Sequence, residues 1–445
     1  MTNCARAAVC LMLAWNAACA AASVQMAGAL TNFSDPNSAA LQAAFSAEGK
    51  PFRWVQFGDS HTAGEYFTGE LRTQLQKRFG DAGPGWFFPG YVRQQRFDLA
   101  KLSNAPGWEL TASRASSAAG FAAGGVEATA VKAGASFSVQ FKQPLPAGKY
   151  AFKALVLPQN HNQNHNQNQN QNLSPNQAES AMPLLHISTA GQDQPLRADA
   201  NAAPQSWQVL HSQHHNPSAD WTIASAQAHS LKLAGFWLDL EPQEGKKTAG
   251  ASVDALGLNG ALAETASKWD AASLAAWLQE RQPTVVVFEY GTNEALDPQF
   301  SSGKFSAALT ELIQAVRRNS SAAVVLISPP DLYMAPKRAV RQTVKLANGK
   351  KKTVVKNVKL KVACDVALPV SYQTVHAALR AVAVKEKTLY WDWQAAMGGR
   401  CAMRAGAQAS PPLAQPDGVH MTAEGYATYA KLLWADLLKL EGQKP

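Results

Sequence analysis

The period of the apolar positions changes at one turn near the start of the chain. Trp54-Val55-Gln56-Phe57 has the apolar density of a buried strand, and the turn Gly58-Asp59-Ser60-His61 follows it. From about Glu65 to Phe79, the residues Leu71, Leu75 and Phe79 recur every four positions on one helical face. The same strand–turn–helix logic returns in the second half. Val285-Val286-Val287-Phe288 is a continuous apolar run that leads to Gly291-Thr292-Asn293-Glu294, with Leu309, Leu312, Ile313 and Val316 as the helical stripe behind it. Val324 to Ile327 precedes Ser328-Pro329-Pro330, and Leu389-Tyr390-Trp391 precedes Asp392. A last helix is predicted from Ala423 to Leu440 through Tyr426, Tyr429, Leu433 and Leu437. Strands apolar on both faces, alternating with amphipathic helices, predict a parallel sheet covered on both sides, a three-layer α/β fold.

Between these stretches the pattern changes. From about Ala105 to Glu241 helical periodicity fades, and short alternating segments take over at Ser136–Phe141, Tyr150–Leu157, Leu184–Ile187 and Leu231–Leu240. Gly, Pro and Asn turns separate them, which predicts a β-sandwich inserted into the α/β domain. Residues 159–172 contain only Asn, Gln and His and cannot bury apolar surface, so a disordered loop is expected there. His161 and His165 in that tract are read as solvated residues rather than metal ligands. A second special segment lies near residue 350. Asn348-Gly349 sits between Thr343-Val344-Lys345-Leu346 and Thr353-Val354-Val355, a strong hairpin signal.

Charge and cysteine content sharpen this picture. The formal net charge is +9, yet residues 337–361 alone hold ten Lys and Arg and no acid, which leaves the rest of the chain at −1. The basicity is one local element and not the field of a nucleic-acid binder. Its plain reading is a solvated hairpin; its functional reading is docking to an anionic polymer. At the N-terminus, Arg6, the apolar stretch Ala7–Ala18 and the small-residue run Ala17–Ala22 read as an export signal over residues 1–22. Cys19 raises a lipoprotein alternative, but Asn16-Ala17-Ala18 lacks the aliphatic residue such signals carry. The stretch is short for a membrane span, and no later segment spans a bilayer either. With Cys4, Cys10 and Cys19 in or beside the signal, Cys364 and Cys401 remain, and an exported chain predicts that they form a disulfide; two buried thiols are the alternative.

Three motifs carry candidate chemistry. Ser60 follows a buried strand and precedes a helix, a position at the carboxyl edge of an open α/β sheet where ligands bind and helix N–H groups suit an oxyanion. Serine needs a base. Asp417-Gly418-Val419-His420 supplies an acid three residues before a histidine, able to hold its Nδ1–H and turn Nε2 toward a hydroxyl. Asn293, at the end of another strand, offers an amide donor for the same crevice. Each motif alone also fits an ordinary turn, cap or exposed histidine. Together, at strand ends and in the order Ser, Asn, Asp/His, they point to acyl transfer. Asp59 and His61 are read as braces of the turn. Trp86 and Phe87 are assigned to packing as readily as to a groove, and Trp108, Trp207, Trp221 and Trp237 are assigned no role.

These residues resemble the blocks of the SGNH (GDSL-like) hydrolases: Gly58-Asp59-Ser60, Gly291-x-Asn293 and Asp417-x-x-His420, with Leu256-Gly257-Leu258-Asn259-Gly260-Ala261 as the weaker second block and Glu294 where the family usually carries Asp. Gly58-Asp59-Ser60-His61-Thr62-Ala63-Gly64, Gly83-x-Gly85-Trp86, Tyr290–Ala295 and Trp391–Gly399 are similar to the O-acetylpeptidoglycan esterases of Gram-negative periplasms. The resemblance implies an SGNH-type fold with helices on both faces and an inserted sandwich similar to a carbohydrate-binding module. The expected layout is a signal at 1–22, the hydrolase at 23–104 and 242–445, and the insert at 105–241. It further implies a catalytic triad of Ser60, Asp417 and His420, and an oxyanion hole from Ser60 N–H, Gly260 N–H and the Asn293 amide. The expected reaction is removal of acetyl from the C6 hydroxyl of muramoyl residues, in the periplasm, with no metal or organic cofactor. The expected partner is O-acetylated peptidoglycan or a related polysaccharide, with neither nucleic acid nor stable membrane insertion. Two other readings fit the same residues: an acetyltransferase or a carbohydrate or lipid esterase of the same fold, and a non-catalytic cell-wall-binding protein.

Overall fold

The computed structural model describes residues 28–46, 50–93, 95–159, 183–199, 203, 205–242, 249–335, 337–345, 351–359, 363–364 and 366–441. The export signal with Cys4, Cys10 and Cys19, nearly all of the Asn/Gln/His tract, and the Asn348-Gly349 turn lie outside them.

A six-stranded sheet organises the α/β part. Its strands are β1 (Leu30–Asn32), β2 (Phe52–Gly58), β3 (Ala251–Gly257), β4 (Val285–Glu289), β5 (Ala323–Ile327) and β6 (Leu389–Trp391), in the spatial order β1-β6-β5-β4-β2-β3. Five run parallel, and β1 is an antiparallel edge. Alternate residues of each strand enter two separate cores, the signature of a sheet buried on both faces. Val55, Phe57, Val286, Phe288, Val324 and Leu326 pack with helices Ala271–Arg281, Ser302–Asn319 and Tyr372–Lys385. Trp54, Val285, Val287, Val325 and Ile327 pack with helices Tyr66–Phe79 and Ala423–Glu441. Among the described residues, no helix is long and apolar enough to cross a membrane.

The ten strands from Ala100 to Leu240 form two further antiparallel sheets of five strands each, and Gly85–Phe87 adds a sixth strand to one of them. Phe152 stacks against Trp221, and Phe137 meets Phe236, so aromatic side chains of one sheet face those of the other. The first strand of this region, Ala100–Leu102, begins before residue 105, the boundary expected from periodicity. Three residues are too few to show an alternation. Gly85–Phe87 also pairs with Leu231–Leu240, in register Phe87 to Phe236, and ties the β-rich region to the α/β part. Trp86 there is buried and stacks on Trp237 at 5.8 Å, a packing role. Trp108, Trp207 and Trp221 are buried as well.

The two parts are also joined by charge. Arg281 is 1% exposed and bonds Asp254 on β3 through Nε and Nη2 (2.7 and 3.0 Å), Ser252 (3.0 Å), and Asp239 on the β-rich strand (2.7 Å). The basic segment forms an antiparallel pair, Lys337–Lys345 with Lys351–Lys359, where Arg338, Arg341, Lys351, Lys352 and Lys356 are exposed. A Cys364–Cys401 disulfide, with Cα atoms 5.4 Å apart, ties the chain beyond this hairpin to the segment after β6.

Candidate active site

Ser60 opens a short helix, Ser60–Ala63, directly after β2. Asp59 makes the turn: its Oδ1 accepts the His61 N–H at 2.9 Å, and its carbonyl accepts the Ala63 N–H at 2.9 Å. Gly58 is required there, because a Cβ would meet the Thr62 hydroxyl and the Glu289 carbonyl. Gly257, its neighbour in register on β3, leaves room for the backbone of Ala63. The two glycines therefore let the serine-bearing turn sit down onto β3 and β4.

The last loop brings the base. Ser60 Oγ stands 2.9 Å from His420 Nε2, and His420 Nδ1 stands 2.8 Å from Asp417 Oδ2. The other carboxylate oxygen, Oδ1, accepts the N–H groups of Val419 (2.9 Å) and His420 (3.0 Å). Burial opposes ionisation of Asp417, but these N–H donors and the imidazole together hold its carboxyl below the ordinary value. Gly418, at φ +80°, lets this loop lie on Tyr333, whose N–H donates to the Gly418 carbonyl at 2.9 Å. His420 and Asp417 keep side-chain exposures of 40% and 48%, so the site is open to solvent.

The third element is the loop after β3. Leu258 N–H donates to Gly58 O (3.0 Å), Ala261 N–H to Leu258 O (2.9 Å), and Gly260 takes φ +71° in the turn between them. Asn293 leans across: its Nδ2 donates to Ala261 O at 3.0 Å and to Asp59 Oδ2 at 3.1 Å. Glu294 Oε1 accepts the Ala263 N–H at 2.6 Å and so pins the far side of the same loop. Burial pushes its carboxyl up to about 8. Among the described residues, neither the Ser60 nor the Gly260 N–H has an acceptor. The sequence-predicted residues Ser60, Gly260, Asn293, Asp417 and His420 thus converge on one crevice at the carboxyl edge of the sheet.

Beneath the serine runs a buried polar thread that the sequence reading missed. Gln56 donates to Thr62 Oγ1 (2.9 Å), and Thr62 donates to Glu289 Oε2 (3.0 Å), beside Asp59. Burial first, then the neighbouring Asp59, drives the Glu289 carboxyl well above its ordinary value. Asp59 rises to about 6, chiefly through burial. Two carboxyls packed together share one negative charge. The visible trace was Gln56 inside one largely apolar run and Glu289 at the end of another. His61 is tied to the last helix, with Nδ1 2.8 Å from the Tyr426 hydroxyl, and the Ser60 hydroxyl bonds His420 instead. Among the described residues, no group of three or more His, Cys, Asp or Glu is placed to hold a metal ion.

A hydroxyl, an imidazole and a carboxylate in line, beside unpaired N–H groups at the C-terminal edge of a parallel sheet, define the class. Residues 224–428 match the model of the GDSL-like Lipase/Acylhydrolase family, a likeness that covers somewhat under half of the chain and leaves Ser60 ahead of the matched span. The particular likeness is to a solved peptidoglycan O-acetylesterase, at 26% identity over 93% of this chain and 99% of that chain, with a TM-score of 0.67. Looser likenesses include an acetyl xylan esterase (14% identity, 42% of this chain and 79% of that chain, TM-score 0.28). Another is an active-site mutant of a family two carbohydrate esterase from Clostridium thermocellum (12% identity, 75% and 98%, TM-score 0.26). No curated protein matches the chain.

Proposed function

We propose that the protein is a serine esterase that removes O-acetyl groups from peptidoglycan, at the C6 hydroxyl of muramoyl residues, outside the cytoplasmic membrane. One observation carries the reading: Ser60 Oγ, His420 and Asp417 form a continuous hydrogen-bonded line of 2.9 and 2.8 Å. The peptidoglycan O-acetylesterase likeness, which spans both the α/β and the β-rich parts, supports the choice of substrate.

In this reading, Ser60 Oγ attacks the acetyl carbonyl as its proton passes to His420 Nε2. The ionised Asp417 keeps Nδ1–H in place and stabilises the imidazolium. The tetrahedral oxyanion takes the open N–H groups of Ser60 and Gly260. Asn293 joins them by giving up one of its two present acceptors, Asp59 Oδ2 or Ala261 O. Collapse breaks the bond to the sugar oxygen, which receives the proton from His420. Water then repeats the cycle on the acetyl-enzyme, releasing acetate and restoring the serine. Under the same reading, the β-rich region is an inserted docking module and the basic hairpin meets the carboxylates of the polymer.

The deciding experiment measures acetate release from O-acetylated and from chemically deacetylated sacculi, by wild type and Ser60→Ala. Release confined to wild type on acetylated sacculi is expected. A Ser60→Ala enzyme that still releases acetate rules the assignment out.

A further inference from the structure

The β-rich region contributes one side chain to the rim of the crevice. Strand Trp108–Ala112 ends in a single 3-10 turn, Ser113–Ala115, which carries Arg114. This turn is fastened from the hydrolase side. Lys268 Nζ donates to Ser113 O (3.0 Å) and Ser116 O (2.7 Å), while Gly120 and Phe121 donate back to Lys268 O (2.9 and 3.0 Å). Lys268 ends the turn Ala263–Lys268, whose start Glu294 pins, immediately after the Gly260 loop. Arg114 is therefore presented by an anchored backbone.

Its guanidinium lies on Gly260. Nη1 is 2.8 Å from where a Cβ of that glycine would stand, and Cζ is 3.8 Å away. Gly260 in turn neighbours Ala261, whose carbonyl shares the Asn293 amide with Asp59, the residue before Ser60. Arg114 is exposed and has no ion pair or hydrogen bond among the described residues. Among the described residues no acid pairs with it, Glu264 of the adjoining turn included. Glu294 is buried against Ala263, and Asp59 is committed to Asn293 and His61. A free, planar, five-donor cation beside an acyl-transfer crevice suits a carboxylate, which it can grip with two parallel bonds.

We propose that Arg114 binds a carboxylate of the substrate next to the ester attacked by Ser60, and so selects acetyl esters carried on acidic glycans. This rests on the esterase reading above and adds a recognition element to it. The β-rich region then does more than dock the polymer, since it completes the substrate site.

The test compares wild type, Arg114→Gln and Arg114→Lys on three substrates. These are acetylated peptidoglycan, the same polymer with its carboxylates amidated by carbodiimide, and p-nitrophenyl acetate as a neutral reference. Charged hydrogen bonds of this kind change binding by about 10- to 100-fold. Arg114→Gln is expected to lower the ratio of kcat/KM on native polymer to that on the neutral ester by this factor, mainly through KM. Lys is expected to restore part of it. Amidating the polymer should cost the wild type a similar factor and the Gln variant almost nothing. An amidase that strips the peptides frees the lactyl carboxylate of the sugar in their place: a vanished Arg114 effect then assigns the carboxylate to the peptide, and a persisting one shows that a sugar carboxylate serves. An equal loss on all three substrates would show that Arg114 merely props the Gly260 loop and would overturn the proposal, as would no loss at all. Failure of the esterase reading is separately visible, as absence of Ser60-dependent turnover of the neutral ester by wild type.

Discussion

Asp417→Asn isolates the electrostatic part of the proposed triad from its scaffold. Asp417 divides its work: Oδ1 holds the Val419 and His420 N–H groups, and Oδ2 faces His420 Nδ1 at 2.8 Å. Asparagine keeps a carbonyl oxygen for the two backbone donors, so the loop retains its shape. Its amide then faces the ring with N–H groups instead of a lone pair. The imidazole must present a bare Nδ1 to it, which places the proton on Nε2, 2.9 Å from Ser60 Oγ, where a base is needed. Wrong-tautomer substitutions of this type cost roughly 10⁴ in kcat, about 5 kcal/mol of transition-state stabilisation. The assay is initial-rate hydrolysis of p-nitrophenyl acetate, with near-ultraviolet circular dichroism and the urea midpoint as controls for folding. Activity within tenfold of wild type in a folded Asn variant would refute the reasoning, since the orienting carboxylate would then be dispensable.

His61 gives a pH test of stability. Burial first, then the charge of His420, pushes its pKa down to about 3 from 6.5, so the unfolded chain binds a proton that the folded one refuses. Its contribution is complete above about pH 6.5 and is lost toward pH 3, at about 1.4 kcal/mol per pH unit. Asp59, raised from 3.8 to about 6, acts with the opposite sign, because its contribution is present below 3.8 and lost as pH rises through 6. The difference between wild type and His61→Phe removes that common term. Urea unfolding from pH 6.5 to 4 should show the variant lacking about one proton's worth of slope; parallel curves would mean that the ring is protonated in the fold. Arg281→Met should destabilise by about 3–5 kcal/mol, because it strands Asp254 as a buried, unpaired carboxylate and leaves Asp239 to Lys153. An unfolding free energy from denaturant titration within about 1 kcal/mol of wild type would contradict this.

How much of this was legible in the sequence follows from what each residue needed. The strands Val285–Glu289 and Ala323–Ile327 announced themselves because both faces are buried and the runs Val285–Phe288 and Ala323–Ile327 are apolar at every position. Strand Ala251–Gly257 did not, since Asp254 interrupts it, and that aspartate is tolerable only because Arg281 reaches it from a distant helix. Helices Ala271–Arg281 and Tyr372–Lys385 also went unread, as did the edge strand Leu30–Asn32. The residues brought together at the crevice were visible as motifs, since turn chemistry is local and short. The support beneath them was not. Glu289, Thr62 and Gln56 become a network only once β2 and β4 lie side by side. Glu294 looked like a departure from the family pattern, and its longer side chain proves to hold the Gly260 loop through Ala263.

The order of strands in the catalytic sheet has a bearing on how the molecule comes into being. β2 carries the serine early in the chain, yet both its neighbours, β3 and β4, are synthesised only after the whole β-rich region. Serine and histidine are 360 residues apart. A nascent polypeptide therefore holds β2 with two bare edges until β3 and β4 have emerged, and Ser60 without its proposed base until His420 has. Under the proposed reaction, shortened products that end before His420 are expected to be inert, and those that end before β3 expose an unpaired β2 in need of protection from aggregation.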